Sequence, residues 1–273
     1  MSSQQAKKPI IGIIGGTSQF GQWFKSFFEN NGLEVLIASR KTKLTPVELA
    51  KTADIVIVSV PLRETAGVIK NITRYLRPEA LLADFTSLKE KPLKEMMKAD
   101  CGVLGIHPLF GPLVPSIKNQ MIIFCLGRQN QWIDYLENLF KRNGAKVIFT
   151  TAKKHDQQMA MIQALTHFVN IVLARTIQKQ NLSILEAYTT PVFRLQSILM
   201  GRILGNNPKL YAELEIENPF FSKILNEFFS EGRQLGSSIK SKDYRKFIKI
   251  FNQTADLLKN FIPVAQLKST EII

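Results

Sequence analysis

With 273 residues, 45% of them hydrophobic, the chain can bury a sizeable core, and its length favours two domains over one. A net charge of +14, from 36 basic and 22 acidic residues spread over both halves, favours anionic partners; no basic tail or groove-reading motif points to nucleic acid. Two cysteines in apolar, strand-like runs rule out a disulfide framework, residues 1–8 lack a secretory signal, and no apolar run approaches the roughly 18 residues that span a bilayer, so a cytoplasmic protein without a membrane partner is expected.

Short β-branched runs alternate with amphipathic stretches through the first half, the pattern of a mostly parallel sheet wrapped by helices. Strands are predicted at Ile10–Ile14, Glu34–Ala38, Ile55–Val60, Leu81–Phe85, Val103–Ile106, Met121–Cys125 and Lys146–Phe149. Helices fit between most of them: Gln19–Asn30 stops at Asn31-Gly32 and Gln131–Asn143 stops at Gly144, both C-cap signals. From Lys153 the strand signal ends, and helical patterns run through Lys154–Gln180, Thr190–Leu204, Asn218–Ser237 and Ser241–Phe261. The first is apolar almost all round, which predicts a buried central helix with a second subunit against it. The expected fold is a doubly wound, Rossmann-type α/β domain over residues 1–151, followed by an all-α domain over 152–273 that pairs two copies into a homodimer.

The first strand runs into Gly15-Gly16-Thr17-Ser18-Gln19-Phe20-Gly21 and then a helix, the context in which a glycine-rich turn offers backbone N–H groups to a pyrophosphate. Ser18 replaces the middle glycine of the G-x-G-x-x-G pattern, but it is small and can donate to phosphate. The second strand ends without the acid that would bind the 2′-hydroxyl of NAD. Ser39, Arg40 and Lys41 follow instead, with Lys43 close by; a hydroxyl and cations there predict NADP over NAD, the alternative being a solvated basic loop. After the fifth strand, Gly105-Ile106-His107-Pro108 puts a histidine at a carboxyl strand end, where open α/β sheets bind ligands. Three histidines and two separated cysteines show no metal-ligand spacing.

Together with that glycine turn, several ordered motifs resemble the prephenate dehydrogenase family, including the dehydrogenase portion of fused chorismate mutase enzymes. They are Val58-Ser59-Val60-Pro61, Asp84-Phe85-Thr86-Ser87-Leu88-Lys89, Gly105 to Pro112, His155-Asp156-Gln157-Gln158-Met159, Ile162 to Phe168, Pro191-Val192-Phe193-Arg194-Leu195 and Gly201-Arg202. No mutase-like segment precedes the dinucleotide domain, so the dehydrogenase alone is expected.

The resemblance implies oxidative decarboxylation of a cyclohexadienyl dicarboxylate, prephenate, to 4-hydroxyphenylpyruvate in tyrosine biosynthesis. Arogenate or 4-amino-4-deoxyprephenate are alternative substrates, and a non-catalytic NADP(H)-binding regulator is an alternative from another class. In the family the histidine matching His107 polarises the ring hydroxyl and the serine matching Ser87 orients it, while Ser59, Val60 and Pro61 lie at the cofactor. Lys89 either faces substrate or cofactor or is a surface lysine at a helix start. Thr190-Pro191 is a cap-plus-N1 signal, so Arg194 and Arg202 fall on one helix about 80° apart around its axis. The family match gives Arg202 the ring carboxylate, with Arg194 in support or in a salt bridge. Gln163, His167 and Asn170 make a polar stripe on an apolar helix, costly unless those groups find partners; the resemblance puts His167 at the substrate site. His155 is expected to be structural.

Overall fold

The computed structural model describes residues 8–179 and 188–272, apart from the side chain of Ile272. Packing divides the chain into two compact units, Met1–Met159 and Ala160–Ile273. The helix that follows the last strand, whose His155, Asp156 and Met159 are buried, packs with the first of these units.

In the first unit, seven strands form one sheet in the order β2-β1-β3-β4-β5-β6-β7. They are β1 Ile11–Ile14, β2 Val35–Ala38, β3 Ile55–Val58, β4 Leu81–Asp84, β5 Gly102–Pro108, β6 Met121–Arg128 and β7 Lys146–Thr150. Strands β2 to β5 are mutually parallel, β6 runs antiparallel to β5, and β7 is parallel to β6. Strands β5 and β6 extend beyond their apolar runs because they pair with each other, out to Pro108 opposite Ile122 and Val103 opposite Arg128. The helices are α1 Gln19–Asn30, α2 Pro46–Thr52, α3 Leu62–Ile72, α4 Glu90–Met96, α5 Gln131–Arg142 and α6 Ala152–Met159.

The period of two along each strand splits the core between the two faces of the sheet. Ile11, Ile13, Ile55, Ile57, Leu104 and Ile106 pack with Phe24 and Phe28 of α1 and Leu136 and Phe140 of α5. Their alternates Ile14, Val56, Val58, Leu82 and Val103 pack with Leu49, Ile69, Ile72 and Met96 on the other side. Each such side chain contributes about 1.5–3 kcal/mol on full burial, which holds a sheet of four- to eight-residue strands together. Both cysteines are buried and unbridged.

The second unit has no strand among its described residues. A wider, π-helical turn, Ala160–Leu165, leads into α7 Thr166–Ile177, followed by α8 Pro191–Leu204, α9 Pro208–Glu217, α10 Phe221–Lys240, α11 Tyr244–Leu258 and α12 Ile262–Ile272. The expected end of the first helix at Gln180 lies outside the described residues. Two expectations are corrected here. The helical stretch Ala152–Ile177 is long and apolar enough to cross a membrane by length and composition, with a mean hydropathy of 1.3, because scattered polar residues interrupt the run without lowering its average much. It is also not a buried central helix within one chain: only 17% of that apolar window is covered. The unit's own core is small, built on Ala160, Ala164 and Phe221 with Phe168, Ile224 and Leu225 around them. Large apolar side chains such as Val192, Ile216, Phe251 and Phe261 stay exposed.

The tightest point of the first unit is Gly15, at φ 87, where an added Cβ would sit 2.2 Å from the Ser59 carbonyl oxygen. Gly15→Ala is therefore expected to cost about 1–3 kcal/mol of stability, read as a lower urea midpoint at unchanged m-value.

Candidate active site

The carboxyl ends of β1, β3, β4 and β5 share one edge of the sheet, and the order reverses between β1 and β3, so an open crevice is expected there. The glycine turn leaves β1 at this edge. Its backbone is packed too closely for side chains: a Cβ on Gly21 would lie 2.7 Å from Gly16 Cα, and one on Gly16 2.6 Å from the Ile37 side chain. Ser18 caps α1, its Oγ accepting from Gly21 N at 3.0 Å, which leaves the hydroxyl proton to donate. Thr17 and Gln19 flank it, and the first N–H groups of α1 have no acceptor within the helix. This cradle fits a pyrophosphate. The Phe20 ring instead joins an aromatic cluster with Phe24, Phe85 and Phe110, so only its backbone remains for a cofactor. Ser59, Val60 and Pro61 follow β3 beside Gly15, Ser59 N donating to Ile14 O at 2.7 Å.

At the end of β2, Ser39 closes a small turn: its N–H donates to Thr42 Oγ1 at 2.7 Å and its Oγ accepts from Lys41 N at 3.0 Å. Arg40, Lys41 and Lys43 stay exposed, and no carboxylate pairs with them among the described residues.

His107 lies near the end of β5 and is almost wholly buried. Burial, then the neighbouring His155 and Lys89, hold its pKa well below the usual histidine value, so the imidazole is neutral at physiological pH. Its Nδ1 is 2.8 Å from Nε2 of His155, and His155 Nδ1 is 2.7 Å from Asp156 Oδ1. Asp156 in turn accepts from the backbone N–H groups of Lys89 at 2.8 Å and Glu90 at 2.9 Å, capping α4 from another element. His155 is thus not merely a helix-start residue. Sequence reasoning passed over it and Asp156 because the pairing spans 48 residues; the adjacent His-Asp in a motif already singled out was the available signal.

Lys89 is not the surface lysine at a helix start that one of the two expectations made it. It is fully buried, its Nζ 2.5 Å from Asp84 Oδ2 and donating to Ile106 O at 3.0 Å. β4 ends at Asp84, so Lys89 lies beyond the strand, at the start of α4. Ser87 sits half-buried in the loop before α4, and no hydrogen bond joins it to His107.

The second unit carries the other expected residues. Arg194 and Arg202 both lie exposed on α8, whose start Thr190 caps by accepting from Phe193 N at 3.2 Å. His167 meets Tyr211 of α9 edge to face, ring centroids 4.5 Å apart. Burial pushes the Tyr211 hydroxyl up, while a hydrogen bond with Asn206 and the Arg202 charge pull it back. Asn170 of the polar stripe is satisfied by Gln196, which donates to its Oδ1 at 2.7 Å, and by donating to Thr166 O at 2.8 Å. Gln163 Oε1, His167 Nδ1 and Glu215 Oε1 are buried without a partner among the described residues. Burial lowers His167 to about 4 and raises Glu215 to about 7. Tyr211 and Glu215 went unread because α9 was missed, although Asn207-Pro208 repeats the cap-plus-proline signal of α8.

Glu215 makes stability depend on pH. With its folded pKa raised from 4.5 to about 7, the folded chain keeps a proton that the unfolded chain has released, so stability falls as pH rises through that window. Glu215→Gln should melt higher than the parent at pH 8 and nearly level with it at pH 5; an equal offset at both would exclude the effect. Partial exposure trims its size.

A family model described as "Prephenate dehydrogenase, nucleotide-binding domain" matches residues 32–149, and a second, "Prephenate dehydrogenase, dimerization domain", matches residues 151–253. The chain is 35% identical over 267 residues to the "Probable arogenate/prephenate dehydrogenase" of Methanocaldococcus jannaschii, covering 90% of this chain and 60% of that protein. It is 32% identical over 252 residues to the "T-protein" of Haemophilus influenzae, covering 90% and 66%. The chain thus spans 60% and 66% of the length of these two curated relatives. A solved structure of prephenate dehydrogenase from A. aeolicus, in complex with hydroxyphenyl propionate and NAD+, has the same fold, with a TM-score of 0.74 at 15% identity over 99% of this chain and 100% of that one. Two domain matches in the family's order, on a sheet and a helical unit of the matching kinds, establish that this chain belongs to the prephenate dehydrogenase family.

Proposed function

We propose that the chain oxidises and decarboxylates prephenate to 4-hydroxyphenylpyruvate, as a cytoplasmic enzyme of tyrosine biosynthesis. The observation that carries this reading is His107: buried, held neutral, and near the same carboxyl edge as a phosphate-sized glycine cradle. A neutral imidazole can accept the ring-hydroxyl proton as the C–H electron pair leaves the same carbon; an imidazolium cannot. Loss of the ring carboxylate as carbon dioxide then supplies the electrons that make the ring aromatic, and the proton returns to the phenol oxygen. Arg202 grips a carboxylate of the substrate, with Arg194 beside it, each charge-assisted bond contributing about 1.5–3 kcal/mol. Half-buried Gln163 and His167, whose Oε1 and Nδ1 have no partner among the described residues, supply further polar groups for the substrate. Ser87 orients the reacting ring.

The nicotinamide cofactor, when bound, takes up the hydride. Gly15, Gly16, Gly21 and the N–H groups around Thr17, Ser18, Gln19 and Phe20 hold its pyrophosphate, and Ser59, Val60 and Pro61 wall the crevice. Arg40 and Lys41, exposed next to Ser39 and without a carboxylate partner among the described residues, favour the 2′-phosphate of NADP. The exposed apolar faces of α8, α11 and α12, and the family's dimerization domain, support a homodimer formed through the helical unit. Arogenate is the second reading, favoured by the name of the Methanocaldococcus jannaschii relative.

Prephenate-dependent NADP+ reduction tests the reading directly. His107→Asn should lower kcat by about 10²–10⁴-fold with KM little changed, and near-normal turnover would remove His107 from the chemistry. Catalytic efficiency should be higher with NADP+ than with NAD+, and Arg40→Ala should lower the NADP+ value alone by about 10- to 100-fold; a higher NAD+ efficiency in the parent refutes the cofactor assignment.

A further inference from the structure

We propose that His155, oriented by Asp156, is a positioning residue that fixes the tautomer of His107, so that its Nε2 carries the lone pair. This rests on the proposed role of His107 and goes beyond it, because a neutral histidine has two tautomers and only one presents an acceptor at a given nitrogen.

The assignment follows the donors in order. Backbone N–H groups only donate, so the Asp156 oxygens facing Lys89 N and Glu90 N are acceptors. Oδ1 therefore also accepts from His155, which must carry its proton on Nδ1, 2.7 Å away. With His155 as a neutral ring, its Nε2 holds a lone pair, and the nitrogen 2.8 Å from it, His107 Nδ1, is the donor. That leaves His107 Nε2 without a proton, and no described protein group is bonded to it. A ring hydroxyl meeting Nε2 then finds an acceptor: its O–H bond breaks and an Nε2–H bond forms, while Nδ1–H stays bonded to His155.

The other charged and titratable groups around this chain agree with that order. From β4 and the loop before α4, Asp84 Oδ2 and the Lys89 ammonium bond each other, the ammonium also donates to the Ile106 carbonyl, and no hydrogen bond joins either group to His107. From β6, the Cys125 thiol is pushed up to about 12, mainly by burial, and stays protonated. The reverse tautomer would set a His107 Nδ1 lone pair against the His155 Nε2 lone pair, or, if His155 carried its proton on Nε2 instead, a His155 Nδ1 lone pair against an Asp156 oxygen that can only accept.

The chain contains only three histidines, so ¹⁵N-histidine labelling and long-range ¹H–¹⁵N correlation resolve each ring without substrate. At neutral pH the native protein should show Nδ1–H on both His107 and His155; an Nε2–H signal on His107 overturns the proposal. Two variants add a kinetic readout. His155→Leu removes the acceptor and should lower kcat by about 10²-fold or more with KM nearly constant. His155→Gln, whose carboxamide can donate to Asp156 and accept from His107, should recover most of that loss and keep the Nδ1–H signal. Equal kcat in the parent and His155→Leu, both folded by circular dichroism, also overturns it. If the tautomers are as assigned but neither prephenate nor arogenate is turned over by the parent, the positioning chain stands and the functional reading falls.

Discussion

One buried ammonium ties the first unit's site together. Lys89 is fully enclosed, and a charge in such a place is tolerated only beside an opposite charge and hydrogen-bond acceptors. Asp84 supplies the charge and Ile106 the carbonyl, so the end of β4, the start of α4 and the residue before His107 are held to one point. The same residue's backbone N–H donates to Asp156, which holds His155, which holds His107. A loop of bonds thus returns to the strand it left, and no member can shift without uncovering a charge in the interior. Removing one partner of such a pair typically costs 3–5 kcal/mol, more than any single apolar contact nearby.

The sheet explains why these groups meet. Parallel strands end on one edge, so residues far apart in sequence arrive together: Gly15 after β1, Ser59 after β3, Thr86 after β4 and His107 near the end of β5. Thr86 shows how tightly this edge is finished, its N–H donating to Asp84 Oδ2 at 3.0 Å and its hydroxyl to Leu88 O at 2.9 Å. The loop that carries Ser87 is thereby shaped by its own side chains as well as by what it faces.

Much of this was legible in the sequence, for local reasons. Strands β1, β3, β4 and β5 are buried on both faces and so read as apolar runs such as Ile55-Val56-Ile57-Val58, without alternation. Helices announced by Thr190-Pro191 or stopped by Asn31-Gly32 begin and end where those signals put them, give or take a residue. What escaped was set by distance along the chain. The burial of Lys89 depends on Asp84 and Ile106, and the role of His155 depends on His107; no window of sequence contains these pairs in register. The helix Ala152–Ile177 misled in the opposite way, since its apolar residues read as core although one chain covers few of them.

The two thiols carry a consequence of their own. Cys125 lies buried in β6 and Cys101 just before β5, and burial raises both, Cys125 to about 12, so almost no thiolate forms at neutral pH. Alkylating reagents and peroxides, which attack the thiolate, meet no nucleophile on the intact fold. Their reaction is therefore paced by how often the strands open, and the rate of cysteine modification becomes a clock for breathing of the sheet's interior.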